Sequence, residues 1–259
     1  MNMKKRFLNI IAVGLVLFMA SCKKETGYTA TFDQPSANEA LVKIIYASAY
    51  SLNPSVQLSF DDVRVSGLIT GRTPFPGGGY NTNGSNFPDY LLLKPGAQKF
   101  TIAIPKKGTN VDSVVLFTTQ VTLEAGKHQT LNVSDTLAKT KTLVVTDTVQ
   151  IPTLNTIKYR FVNLMPNVPS ADLYYGTTLV ASGVAYNTPG KVFSMNVPAV
   201  NSLQWIIRET GTGAAGTILA FYASSSTVLN QRMYTAFAMG YKGSTSATLK
   251  PYISFTLNY

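Results

Sequence analysis

The residues that could do chemistry are few and widely spaced. The chain holds one histidine, His128, one cysteine, Cys22, and 12 carboxylates against 22 basic side chains. Catalysis needs convergent ionisable groups. His128 follows the turn at Gly126 and reads as a surface residue of a strand. Alone it cannot build a multi-histidine zinc site. Asp61-Asp62 is the one adjacent carboxylate pair. It follows Phe60 at the end of a strand-like run, where aspartates close turns through their own backbone, so it reads as a turn rather than as a glycosidase pair. No Asp-x-Asp-x-Asp-Gly run offers the oxygen cluster that calcium needs. Gly77-Gly78-Gly79 is followed by neither a lysine-serine pair nor a helix, which excludes a phosphate cradle. The sequence therefore assigns no catalytic residue, no metal and no cofactor, and reads as a non-enzyme.

Two further patterns have a mechanism. The stretch from Thr73 to Tyr90 holds Phe75, Tyr80, Phe87 and Tyr90 among glycine, asparagine and proline. It is longer than its counterpart later in the chain, and long loops in compact domains are usually functional or disordered. Exposed rings there would stack on sugar or meet a protein partner; rings tucked under the loop would form a satellite cluster. Both readings stand at this point. Separately, Asp112-Ser113-Val114, Asp135-Thr136-Leu137 and Asp147-Thr148-Val149 resemble the Asp-(Ser/Thr)-aliphatic acceptor for O-glycosylation in some Gram-negative bacteria. That makes Ser113, Thr136 and Thr148 candidate acceptors, with turn chemistry as the rival explanation.

Cys22 has the most specific context. Lys4, Lys5 and Arg6 precede an apolar run from Phe7 to Ala20, then Ser21. A basic start, a short apolar run and small residues at the cut make a secretory signal. The run is shorter than the roughly 20 residues of a membrane span. Met19-Ala20-Ser21-Cys22 resembles the lipobox of bacterial lipoproteins, with Met19 where that family usually has Leu, Val or Ile. The resemblance implies cleavage of residues 1–21 and acylation of Cys22 with palmitate-type chains. Two or three chains anchor a protein stably, whereas one does not. Residues 22–39 then read as the lipidated N-terminus and a flexible tether. Lys23, in the place where aspartate retains such proteins in the inner membrane, implies the outer membrane, with its periplasmic or cell-surface face open.

Composition agrees with a folded, exported chain. Of 259 residues, 45% are hydrophobic and 11% aromatic, enough for real cores rather than disorder. With one cysteine there is no disulfide, so packing and backbone pairing must hold the fold. The formal charge of +10 includes Lys4, Lys5 and Arg6, and falls to +7 without them. The basic residues are scattered. They read as a solvated surface or as an attraction to anionic polysaccharide. Nucleic acid is excluded as a partner, since no basic helix or RNA-binding aromatic motif is present.

The elements that must position these residues are strands. From residue 40 apolar residues recur with period two, as in Val42, Ile44 and Tyr46, and turn residues return every 8–12 positions, the mark of an all-β sandwich. The chain also repeats. Val42-Lys43-Ile44-Ile45-Tyr46 parallels Ile157-Lys158-Tyr159-Arg160-Phe161. Val56–Phe60 parallels Ala171–Tyr175, and Val65-Ser66-Gly67 parallels Ala181-Ser182-Gly183. The expected organisation is a sandwich over residues 40–150 and a second over 151–259, divided near Gln150–Thr153. A final strand, with Ile253, Phe255 and Leu257 on one face, closes the second sandwich.

The run Val42–Ala49, the valine-serine-glycine after the second strand and the Leu123–Lys127 hairpin resemble the domain-of-unknown-function 4397 family. Val162–Pro166 with Val180–Tyr186 resembles it again. The resemblance implies exported, tandem, Ig-like antiparallel β-sandwich domains and no known catalytic residues. The expected function is a non-enzymatic, membrane-anchored cell-envelope module, structural or adhesin-like. The alternative is a carbohydrate-binding lipoprotein of a glycan-uptake system. The partners are accordingly a membrane, through Cys22, and a glycan or an envelope protein.

Overall fold

The structure is a computed structural model that describes residues 37–84 and 89–258. The signal segment, Cys22, most of the tether and Phe87 lie outside the described residues. Residues 35–259 form one compact unit, and it is all-β.

The first half contributes β1 (Ala40–Tyr46), β2 (Gln57–Phe60), β3 (Val63–Arg64), β4 (Thr73–Phe75), β5 (Gly79–Tyr80), β6 (Leu91–Leu93), β7 (Gly96–Pro105), β8 (Asp112–Leu123), β9 (His128–Ser134) and β10 (Lys141–Thr146). The second contributes β11 (Thr156–Asn163), β12 (Ser170–Tyr175), β13 (Thr178–Ala185), β14 (Thr188–Asn196), β15 (Trp205–Glu209), β16 (Ala220–Tyr222), β17 (Met233–Met239) and β18 (Tyr252–Leu257). β-Branched and aromatic residues dominate these segments, and such side chains suit a pleated, half-buried surface.

The strands form four sheets in two matching pairs. One pair is β10-β9-β1-β4, with β6 also on β1, and β3-β2-β7-β8. The other is β14-β11-β17-β18, extended by β5, and β13-β12-β15-β16. Position for position, β9-β1 corresponds to β17-β11, and β2-β7 to β12-β15. One detail departs from an antiparallel sandwich: β1 pairs β9 in parallel, and β11 pairs β17 in parallel. The chain reaches β9 and β17 only after passing through the opposite sheet, so each returns running the same way as its neighbour.

Each pair of sheets encloses a core. Val42, Ile44, Tyr46, Leu58, Phe100, Ile102 and Leu131 fill the first. Tyr159, Phe161, Leu173, Trp205, Tyr234 and Phe255 fill the second. In the second, Trp205 contacts Tyr159, Tyr175 and Phe255. Its indole Nε1–H donates to Thr227 Oγ1 at 3.0 Å, and Tyr159 Oη–H donates to Thr227 O at 2.6 Å. A short 3₁₀ turn, Ser225–Thr227, thus supplies the acceptors that buried Trp and Tyr require.

A third cluster joins the halves. Ile45, Ala47, Val162, Leu164, Phe237 and Met239 are all buried together, on the faces of β1, β11 and β17 that point away from the two cores. The two inner sheets therefore pack against each other, and the order of layers is outer, inner, inner, outer. Every residue of β1 and of β17 is buried because those strands are covered on both faces.

The stretch 73–90 is not a free loop in its described part. Thr73–Phe75 pairs β1, and Gly79–Tyr80 pairs β18 of the other half. Asn81 Nδ2–H donates to Ile253 O at 2.6 Å, and Ser254 Oγ–H donates to Asn81 O at 2.8 Å. The segment works as a clasp between the halves, its backbone groups paired with strands of both.

One glycine is required sterically. Gly240 follows β17 with φ +89, and a Cβ there would lie 2.2 Å from Lys250 O. Gly240→Ala is expected to destabilise the protein by more than about 2 kcal/mol, from left-handed backbone strain plus a clash with a main-chain oxygen. The check is a lowered urea midpoint at unchanged slope.

Candidate functional site

Ionisable groups converge at the seam between the inner sheets. Lys43 sits on the β1 face opposite the first core, and its side chain is fully buried. Its Nζ donates to Leu257 O and lies 4.6 Å from the Tyr90 ring centroid. Asp147 follows β10 and is 8% exposed. Its Oδ2 accepts from Thr130 Oγ1 at 2.6 Å and from Tyr90 Oη at 3.3 Å. Its Oδ1 accepts from Asn258 Nδ2 at 3.3 Å, and the same amide donates to Thr235 Oγ1 at 2.8 Å. His128 meets Tyr90 edge-on, with centroids 4.9 Å apart. Arg160, from β11, donates to Thr146 O at 2.8 Å.

Burial sets the charges of this cluster. Desolvation pushes the Asp147 carboxyl up to about 6, against the pull of its Thr130 hydrogen bond and of Lys43. Desolvation lowers Lys43 to about 8, opposed by the field of Asp147. His128 is lowered by burial and then by the Lys43 charge. Tyr90 is raised by burial and by Asp147. At neutral pH the site thus holds the Lys43 ammonium and the Arg160 guanidinium near the Asp147 carboxylate, beside a neutral imidazole and a neutral phenol. Among the described residues, no three His, Cys, Asp or Glu side chains come together as a metal site.

The residues singled out in the sequence fall in different places. Cys22 and Phe87 lie outside the described residues. Phe75 packs against the first core and Tyr80 against the second, where Tyr80 meets Tyr234 at 5.9 Å. Tyr90 joins the seam cluster. All three rings are half-buried: Phe75 and Tyr80 pack against the cores because β4 and β5 pair with buried strands, and Tyr90 packs against Lys43 and His128. His128 is half-buried against Tyr90 rather than a free surface residue. Asp61 and Asp62 have φ +46 and +65. Asp61 Oδ1 accepts from Lys99 N, and Asp62 pairs with the Lys99 ammonium, which is turn chemistry. Ser113 and Thr148 are exposed, and Thr136 is half-exposed.

Two features escaped the sequence reading. One is the Lys43–Asp147–Asn258 cluster itself, drawn from three distant stretches of the chain. Its signal was Ile45, apolar on the face that should have been wet. The other is a cleft of about 900 Å³ at the seam. The Asp135–Lys141 connection lines it on one side, and Asn167, Tyr186 and Tyr241 line it on the other. Nothing in the sequence brings those stretches together.

The family model of a domain of unknown function, DUF4397, matches residues 40–174. That span covers the first half, β11 and nearly all of β12. No curated protein matches the chain. Among solved structures, the crystal structure of a candidate cell adhesion protein from Bacteroides uniformis ATCC 8492 aligns over 86% of this chain and 98% of its own, at 8% identity and a TM-score of 0.23.

Proposed function

This chain belongs to the DUF4397 family, whose function is unknown, and on that premise we propose that it is a non-enzymatic, membrane-anchored lipoprotein of the cell envelope, acting as a structural and interaction module of the adhesin-like kind. One observation carries the reading. Lys43 and Asp147, the charged groups best suited to chemistry, bond across the seam to Leu257 O and Asn258, with Tyr90 and His128 packed beside them. What the molecule offers a partner is surface, including the long exposed edge strand β8. The sequence around Cys22 supports an acylated anchor at the outer membrane, and exposure of Ser113 and Thr148 supports their candidacy for O-glycosylation along with Thr136. The cleft at the seam favours a second reading, capture of a carbohydrate for uptake.

The test compares cells making the natural chain with cells making Cys22→Ser. The natural chain is expected to incorporate a palmitate analogue and to sediment with outer membranes, and the variant to do neither. Protease applied to intact cells then reads the exposed face. Digestion supports the adhesin-like role, and full resistance overturns it.

A further inference from the structure

We infer that the cleft at the seam binds a short acidic oligosaccharide, a sugar ring lying against Tyr186 and Tyr241 and its carboxylate meeting Lys139 and Lys141. The inference rests on the reading of the protein as an interaction module and supplies its ligand class.

The walls come from both halves and are held in place. Tyr241 Oη–H donates to Asp135 Oδ1 at 2.8 Å, and Tyr186 Oη lies 3.1 Å from the buried Ser134 Oγ. The Asn167 side chain bonds the Lys242 backbone in both directions, at 2.9 Å each. Two half-exposed rings are therefore fixed by their own hydroxyls across the seam. Preorganised aromatic surface of this kind binds with little loss of side-chain freedom.

The Leu137 backbone is fixed by the turn it opens, its N–H donating to Tyr50 Oη at 3.2 Å and its carbonyl accepting from Thr140 Oγ1 at 2.8 Å, but its side chain packs in no core. It is 63% exposed on the cleft wall, with φ +53, beside Asp135 at φ +59. A bulky side chain in the left-handed region is a genuine outlier, and strain of this sort gathers at ligand sites. Here the strained residue presents an apolar side chain to the cleft rather than to a core.

Charge and size select the ligand. Lys139 and Lys141 are exposed, and the Lys141 ammonium lies 5.2 Å from the Tyr186 ring centroid. Asp135 Oδ1 already accepts from Tyr241 and from Thr136 N. The two ammonium groups, Lys141 held over the Tyr186 ring, thus outweigh the one carboxylate. Ring faces and a leucine suit the C–H face of a pyranose, and threonine hydroxyls suit its rim. A volume of about 900 Å³ falls within the range of small-ligand sites.

The experiment is calorimetry of the purified full-length protein in detergent, with a galacturonic acid tetrasaccharide and a neutral galactose tetrasaccharide as probes. The acidic probe should bind at least tenfold more tightly than the neutral one, and Lys141→Gln should narrow that gap. Tyr241→Ala and Leu137→Gly should each weaken the acidic probe by about tenfold, the scale of one lost aromatic or apolar contact. Glycine accepts the φ of residue 137, so Leu137→Gly should melt no lower than the natural chain, and its lost binding could not be put down to unfolding. Equal binding of the two probes, no binding of the acidic probe up to millimolar concentration, or undiminished binding by Leu137→Gly would overturn the site. Any of these with palmitate incorporation and protease sensitivity intact would end this inference alone. Saccharide binding by a chain that is never acylated or exposed would end the adhesin-like reading instead.

Discussion

Asp147→Ala is expected to destabilise the protein by about 3–5 kcal/mol at pH 7, the usual effect of removing one partner from a buried charged cluster. The melting temperature should fall by roughly 10 °C in a unit of this size. The loss would not mean that the buried charges attract strongly enough to favour folding by themselves. It would come from what is left behind: the hydroxyls of Thr130 and Tyr90 and the amide of Asn258 without their acceptor, and the Lys43 ammonium without its counter-charge. The same residue gives a pH signature. The folded carboxyl titrates at about 6 against 3.8 for the free side chain. A raised carboxylate contributes stability that is fully present below about pH 4 and lost as pH rises through 6. The stability of the natural chain relative to Asp147→Asn should therefore fall by about 2–3 kcal/mol between pH 4 and pH 7. Lys43, lowered to about 8 from 10.5, acts in a separate window. Its contribution is present above pH 10.5 and lost as pH falls through 8. Chemical denaturation at several pH values reads both, and a relative stability flat from pH 4 to 7 would remove Asp147 from the titration of the seam.

Removal of residues 252–259 should do more than shorten an edge. β18 lies between β17 and β5. Ile253, Phe255 and Leu257 are buried in the second core, and at about 1.5–3 kcal/mol each their loss comes to roughly 5–8 kcal/mol. That equals the whole stability of many domains. The deletion also takes the carbonyl acceptor of Lys43 and the amide of Asn258, so the seam fails with the core. The truncated chain is expected to lose the cooperative melt of its second half and to be cut there by protease at low concentration. Phe255→Ala gives a milder version, with about 3–5 kcal/mol lost. An unchanged melt in either variant would place β18 outside the core.

The sandwich strands were legible because alternation reports one buried face; the same alternation is what likens Val42–Tyr46 to Ile157–Phe161 and Val56–Phe60 to Ala171–Tyr175. What alternation could not report was the second contact. Ser254, Thr256, Thr130 and Asn132 look like a wet face, yet each is buried against the opposing sheet. Only apolar residues out of phase, Ile45 and Val162 above all, marked strands covered on both sides. The clasp was hidden for a different reason. β4 and β5 are three and two residues long, too short to show any period, and their partners are fixed by tertiary contact. The cleft was hidden because Asp135, Tyr186 and Tyr241 meet only when the halves stack.

The clasp and the seam also bear on how the chain reaches this structure. Lys43 finds Leu257 across 214 positions, and Asn81 finds Ile253 across 172. Contacts so distant along the chain demand large loop closures before they return any stability, and folds dominated by them form slowly, over milliseconds to seconds. Interactions absent from the transition state mainly slow unfolding. If the seam forms after the transition state, its contacts hold the finished stack closed, and mutations at Lys43 or Asp147 should speed unfolding more than they slow folding.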